Sequence, residues 1–277
     1  MKSDDLVAFR TRATADYDRS LSTLIENEII PRLMVAHATE STAPPPSSGE
    51  QLVARSDIES FGPMVMHVEA DALLVHVESI LARGVTVESI MVDLLAPAAR
   101  YLGELWEADR CDFVDVTMGL WRLQEIVHEI AGQAQAKHVL AAGGHRALFA
   151  SMPGDQHSFG TVVIDELFRC NGWRTDRVSD AETADLLRRV EADWFDMIGL
   201  TISCDCHIAN LTSVIAALRN VSKNPSVCVM VGGRVFGARP ELVAQVGADG
   251  TARDAKLALE VAAELVRRRE WENADCN

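Results

Sequence analysis

From about residue 146 onward the chain alternates short apolar runs with stretches of helical period. Strands are expected at 146–152, 173–178, 196–202, 226–231 and 248–251, and helices at 158–171, 181–192, 207–220, 238–246 and 254–269. Five strands alternating with five helices predict an α/β fold, a doubly wound parallel sheet of flavodoxin-like (Rossmann-like) type. Ligands of such sheets bind at the carboxyl ends of the strands.

Upstream, the pattern from 57 to 136 is helical throughout. A short helix is expected at 57–63. A second, at 64–82, carries Leu73, Val77, Ile80 and Leu81 on one face and ends at Gly84. Thr86 can cap a third, which carries Val87, Ile90, Met91, Leu94, Leu95, Ala98 and Leu102, with a kink expected at Pro97. A further helix follows Asp112 and runs to about 135, completing a small helical bundle. Residues 1–37 turn amphipathic, with Tyr17, Leu21, Leu24, Ile25 and Ile29 near helical spacing, and 38–56 read as a Pro/Ser-rich linker. The expected organisation is an N-terminal arm over 1–56, a helical cap over 57–137 and an α/β domain over 138–277.

With a net charge of -15, the chain is poorly suited to gripping nucleic-acid phosphates, so direct nucleic-acid binding is not expected. No apolar run reaches bilayer length, and Met1-Lys2-Ser3-Asp4-Asp5 lacks the basic end and apolar core of a signal peptide. Six cysteines without a disulfide framework fit a reduced cytoplasmic protein. The sequence does not fix an oligomeric state.

The strand-to-helix turn after the first strand carries Asp155-x-His157-x-x-Gly160. There an imidazole stands at the ligand-binding edge of the sheet. Asp155 can hold one ring nitrogen and leave the other for a metal. Gly160 leaves room for a bulky group to approach the backbone. Taken singly, each signal has a plain alternative: the histidine as a turn residue, Ser203 after the third strand as a helix cap, and Gly232-Gly233 after the fourth as a turn.

Together with Gly103-Glu104-Leu105-Trp106 in the helical part, these residues resemble a helical cap followed by a cobalamin-binding Rossmann-like domain, over residues 57–270. The resemblance implies that cobalamin binds base-off, its own dimethylbenzimidazole displaced from cobalt. His157 would become the lower axial ligand, tuned by Asp155. Ser203, Gly232 and Gly233 match the positions that contact the displaced tail, Gly160 completes the cofactor-binding Asp155-x-His157-x-x-Gly160 motif, and Trp106 matches the tryptophan of the cap.

Two departures stand out. The family's Ser-x-Leu is Ser203-Cys204-Asp205 here, which puts tail contacts there in question. The Glu-His pair that follows the cap tryptophan in adenosylcobalamin light sensors is replaced around Val116-Thr117-Met118, which points to a smaller upper ligand such as water or a protein histidine, with the cofactor in its hydroxo or aquo form. His37, His67, His76, His128, His138 and His145 are the remaining histidines considered for the upper face. Cys204-Asp205-Cys206-His207 reads as a structural or redox-sensitive cluster in preference to a metal site, and it leaves a heme or redox sensor as an alternative.

The whole chain resembles the cobalamin-binding antirepressors of photosynthetic purple bacteria. The resemblance implies a non-enzymatic, light- or B12-responsive regulator that binds a transcriptional repressor protein. The alternative is a corrinoid carrier serving a methyltransferase.

Overall fold

The computed structural model describes residues 51–137, 144–155, 157–179 and 182–275. The expected N-terminal helix, most of the linker, His37 and His138 lie outside the described residues.

The helical layer opens with α1 (Arg55–His67) and α2 (Ala70–Leu81). The break between them falls at Val68 and Glu69, both extended, where the sequence predicts it near residue 63. Its cause lies far along the chain. The buried Arg122 donates to the carbonyls of Val65 (3.2 Å) and Met66 (3.1 Å), which end α1, and to the Glu69 carboxylate (3.2 Å), which opens α2.

Thr86 caps α3 as expected, its hydroxyl accepting from the Ser89 N–H at 3.1 Å. This helix runs through Val87–Ser89, a π-helical stretch Ile90–Leu95, and Ala96–Glu107. Pro97 has no N–H to give, and its ring presses on the carbonyl four residues back. The wider π turn just before it, where the Ala96 N–H reaches the Met91 carbonyl, accommodates both defects. Asp112 and Asp115 each donate a backbone N–H to the other's carboxylate, at 3.0 and 2.9 Å, to start α4 (Phe113–Lys137).

The second part alternates β1 (Arg146–Ser151), α5 (Phe159–Cys170), β2 (Arg174–Val178), α6 (Thr183–Ala192), β3 (Met197–Thr201), α7 (Ile208–Val221), β4 (Cys228–Gly232), the short α8 (Arg234–Ala238) and α9 (Leu242–Val246), and α10 (Ala255–Asp275). All pairings are parallel, in the order β2-β1-β3-β4.

The doubly wound fold class holds, with four strands instead of five. The expected strand at 248–251 is reduced to one bridge, Met230 to Gly250. The Asp249 side chain explains the loss. Its carboxylate takes the Val229 N–H at 2.7 Å, a donor of β4 that would otherwise be available to a neighbouring strand. Arg219 (2.6 Å) and Arg269 (3.1 Å) hold that carboxylate in place.

Strand side chains alternate between two cores. Ala147, Phe149, Met197, Cys228 and Met230 join α5, α10 and the helical layer in one apolar cluster. Leu148, Ala150, Ile198, Leu200, Val229 and Val231 pack against the helices of the other face. Among the described residues no helix is long and apolar enough to cross a membrane.

Gly199 makes room for the buried Phe149 ring, which also packs edge-on to Phe168 at 4.8 Å. A Cβ at 199 would lie 2.7 Å from Phe149 Cδ1. Gly199→Ala is therefore expected to cost about 2 kcal/mol by overpacking. A denaturant midpoint equal to wild type would show that the ring can yield.

Candidate functional site

The chain leaves β1 through Met152, turns at Gly154 (φ +87°) and delivers Asp155, whose N–H returns to the Met152 carbonyl at 2.8 Å. This tight turn aims the Asp155 carboxylate inward, with its side chain 1% exposed, and leaves His157 at 25%. Asp155 Oδ1 accepts from His157 Nδ1 (2.8 Å) and from the His157 N–H (3.1 Å). Oδ2 accepts from the Ser203 N–H at 2.7 Å and from the Ser203 hydroxyl. Ser203 Oγ also lies 3.0 Å from His157 Nδ1.

This geometry assigns the protons. An ionised carboxylate only accepts, so Nδ1 carries the ring proton and shares it between Asp155 and the Ser203 oxygen. The Nε2 lone pair is left for a metal. Burial raises the Asp155 pKa, but hydrogen bonds from the His157 ring, the Ser203 hydroxyl and two backbone N–H groups outweigh it and hold the carboxyl well below the usual carboxylate range.

Asp155 and Ser203 are brought together by the sheet. β1 pairs with β3 so that Ser151 sits beside Thr201, and the Met152 N–H continues the ladder to the Thr201 carbonyl at 2.9 Å. The chain runs outward from β1 to β2 and then returns to β3 on the other side, so the crevice between β1 and β3 is the topological switch point. His157 and Ser203 stand on its two lips.

Beneath them lies a row of hydroxyls that the sequence reading missed. Ser151 Oγ donates to the His157 carbonyl (2.8 Å) and meets Thr161 Oγ1 (3.2 Å), which meets Thr201 Oγ1 (2.8 Å). A serine or threonine at a strand end has no local signature. The register of β1 and β3 sets Ser151 beside Thr201, and Thr161 reaches both from the first turn of α5.

The glycines separate by role. A Cβ at Gly160 or Gly232 would meet nothing within 4 Å, so both present bare backbone to open space. Gly233 has φ +102°, and a Cβ there would lie 2.1 Å from the Ile202 carbonyl oxygen, so it serves the close approach of two strand ends.

Trp106 lies at the end of α3, edge-on to Phe113 at the start of α4 with ring centroids 6.4 Å apart. It is not among the hydrogen-bonded partners of Asp155, His157 and Ser203. The next residue, Glu107, has its pKa raised by burial against an opposing field from Arg234, which opens α8 directly after Gly232-Gly233.

Along α4, Phe113, Val114, Met118 and Trp121 are large apolar residues exposed to solvent. Val114, Met118 and Trp121 fall at i, i+4 and i+7, off the buried stripe of Val116, Leu123, Ile126, Val127 and Ile130. That spacing was the available sequence signal. Further along, His128 bonds Glu166 of α5 at 2.9 Å. His76 stacks on Phe61, and His145 packs near Trp173 and Glu270. His67 is exposed at the end of α1.

Cys204-Asp205-Cys206-His207 forms a 3-10 turn leading into α7. The Cys204 sulfur accepts from the Cys206 N–H at 3.2 Å, and Asp205 turns outward to pair with Arg239. Among the described residues no group of three or more His, Cys, Asp or Glu side chains is arranged to hold a metal ion. A lone imidazole nitrogen suits a metal whose other positions a macrocycle already fills, so the residues present fit a tetrapyrrole cofactor.

Residues 145–260 match the family model of the B12 binding domain. This part of the chain is a B12 binding domain. A curated relative, an uncharacterized 20.5 kDa protein in the bchF-crtJ intergenic region of Rhodobacter capsulatus, is 29% identical over 178 residues, 64% of this chain and 92% of the relative. Among solved structures, the Methanosarcina barkeri monomethylamine corrinoid protein superposes with a TM-score of 0.61 at 16% identity, covering 77% of this chain and 100% of that one. The likeness shows that the B12 binding domain and the helical layer before it share that protein's fold.

Proposed function

We propose that this protein is a cobalamin-binding regulator of transcription, an antirepressor that binds a repressor protein controlling photosynthesis genes. Cobalamin would bind base-off with His157 as the lower ligand of cobalt. The observation that carries the proposal is the Asp155–His157–Ser203 chain of hydrogen bonds at the switch point, which fixes the ring tautomer with Nε2 outward.

Bound cobalamin supplies a cobalt centre whose upper ligand can change with light or with the form of the cofactor. The chain's own residues do the rest. Gly160 and Gly232 leave bare walls for the corrin and its displaced tail, and Ser151, Thr161 and Thr201 offer hydroxyls at the foot of the crevice. The exposed apolar side of α4, with Phe113 and Trp121, would cover the macrocycle. In place of a Glu-His pair, Val116 is buried and the Thr117 hydroxyl is spent on the Phe113 carbonyl at 2.7 Å. Neither offers a ligand to cobalt, which favours a water or hydroxide upper ligand.

The position of the Rhodobacter capsulatus relative between bchF and crtJ, in a photosynthesis gene region, supports the regulatory role. We assign no catalysis to the chain and place it in the cytoplasm. A ligand that binds one cap arrangement better than another would shift the population and with it the affinity for the repressor.

The test is gel filtration of the protein with hydroxocobalamin, followed by visible spectra in dark and light. Wild type is expected to co-elute with a shifted spectrum, and His157→Ala to lose the histidine-dependent bands. An unchanged spectrum in the variant would remove His157 from cobalt. Methyl exchange with a methyltransferase and no light response would turn the assignment to a corrinoid carrier. A heme Soret band without cobalamin binding would turn it to a heme sensor.

A further inference from the structure

Cys204 and Cys206 lie in the turn that begins at the residue after Ser203. The Cys204 sulfur rests on the backbone N–H of Cys206, and the Cys206 sulfur is three bonds from that nitrogen, so the two thiols are neighbours. Cys206 is exposed and Cys204 half-buried. The other described cysteines differ. Burial raises the thiol pKa of Cys111 and Cys228, and pushes that of Cys170 up to about 11. A less ionised thiol is a poorer nucleophile, so burial lowers the reactivity of each of those three.

We propose that Cys204 and Cys206 form a reversible dithiol–disulfide pair whose oxidation loosens the grip of Ser203 on Asp155 and His157. The oxidant is a low-molecular-weight disulfide such as glutathione disulfide. The exposed Cys206 sulfur attacks one sulfur of the oxidant, forming a mixed disulfide and releasing one thiol. The Cys204 sulfur then attacks Cys206 Sγ, closing the Cys204–Cys206 bond and releasing the second thiol. The two protein thiols lose two electrons and two protons, and both are accounted for on the two released thiols.

The consequence follows from the geometry of the turn. To bond Cys206 Sγ, the Cys204 sulfur must leave the N–H it now accepts from, and the backbone of the turn must rotate. Asp205 is tied to Arg239, so part of that rotation is passed back to Ser203. Ser203 gives Asp155 Oδ2 both its N–H and its hydroxyl. The inference rests on the proposed role of His157 only for what this does to bound cobalt.

The first measurement needs no cobalamin. Trypsin releases Val190–Arg219, which holds Cys204 and Cys206 and none of the other cysteines. After treatment of the full chain with glutathione disulfide, this peptide is expected two hydrogens lighter and restored by dithiothreitol, whereas Cys204→Ser and Cys206→Ser cannot close the bond. The second is the NMR signal of the His157 ring in cobalamin-free protein, identified by its loss in His157→Ala. It is expected to move on oxidation of wild type and to stay in place in Cys204→Ser.

Hydroxocobalamin affinity is expected to fall about tenfold on oxidation, the worth of one charge-assisted hydrogen bond. A peptide that keeps both thiols, or a disulfide that leaves the His157 signal unmoved, would overturn the inference. Absence of cobalamin binding by the reduced protein would defeat the proposed function instead, and the peptide and ring signals would still decide the dithiol.

Discussion

Gly233→Ala is expected to lower the stability of this protein by about 4 kcal/mol or more, a large part of the margin of an ordinary domain. Two costs combine. At φ +102° and ψ 171° the residue occupies a region that is essentially glycine's alone, which costs an L side chain about 1–3 kcal/mol. The added Cβ would also lie 2.1 Å from the Ile202 carbonyl oxygen and 2.9 Å from its carbon. That backbone has little freedom to retreat, because the Ile202 N–H is bonded to the Gly232 carbonyl at 2.9 Å and β3 is hemmed in by β1 and β4.

The neighbouring substitution separates structure from ligand. A Cβ at Gly232 meets nothing within 4 Å, so Gly232→Ala should keep the wild-type urea midpoint and lose affinity for hydroxocobalamin. Equal midpoints for wild type and Gly233→Ala would mean that the two strand ends can part to admit the methyl group.

Much of this architecture is legible in the chain because β1, β3 and β4 are covered on both faces and read as apolar runs, whereas the edge strand β2 is largely polar. Asp155 and His157 are legible for a different reason: they are two residues apart, and their contact is made by one turn. Ser203 lies 48 residues from Asp155, and its place is readable only once β1 and β3 are set in register.

What stayed hidden is carried by side chains acting at a distance. The fifth strand fails because a carboxylate takes a donor of β4. The break after α1 falls where it does because Arg122, more than 50 residues on, holds both sides of it. Pro97 does break the regular pattern of α3, but its effect is absorbed in the preceding π turn, a choice that depends on how Ile90, Met91, Leu94 and Leu95 pack inward. The Cys204 turn was legible as a cluster and not as a neighbour of the candidate lower ligand, because that relation passes through Ser203.

Asp155→Asn should fold and yet lose histidine-ligated cobalamin. The carboxylate now accepts on both oxygens, from His157 on one side and Ser203 on the other. An amide has one accepting oxygen. If it faces the Ser203 N–H, its NH₂ faces His157 Nδ1, and the ring must move its proton to Nε2 to receive that bond. The nitrogen that pointed outward for a metal is then protonated. Affinity for hydroxocobalamin is expected to fall about 10- to 100-fold, as when partners that orient metal ligands are lost elsewhere.

The same substitution changes the response to acid, with a definite sign. The folded pKa of Asp155 is depressed, so the unfolded chain binds a proton there before the folded chain does, and stability falls as pH falls. The contribution is complete above about pH 5, begins to fade near the unfolded carboxylate pKa of about 4, and is gone only once the pH has dropped through the depressed folded value. The amide of the variant cannot titrate, so the stability gap between wild type and Asp155→Asn should narrow steadily on acidification below about pH 4. Urea unfolding at several pH values measures the gap directly. A constant gap would mean that Asp155 is not held as a carboxylate in the folded protein, and His157 would then lack the partner that fixes its proton on Nδ1.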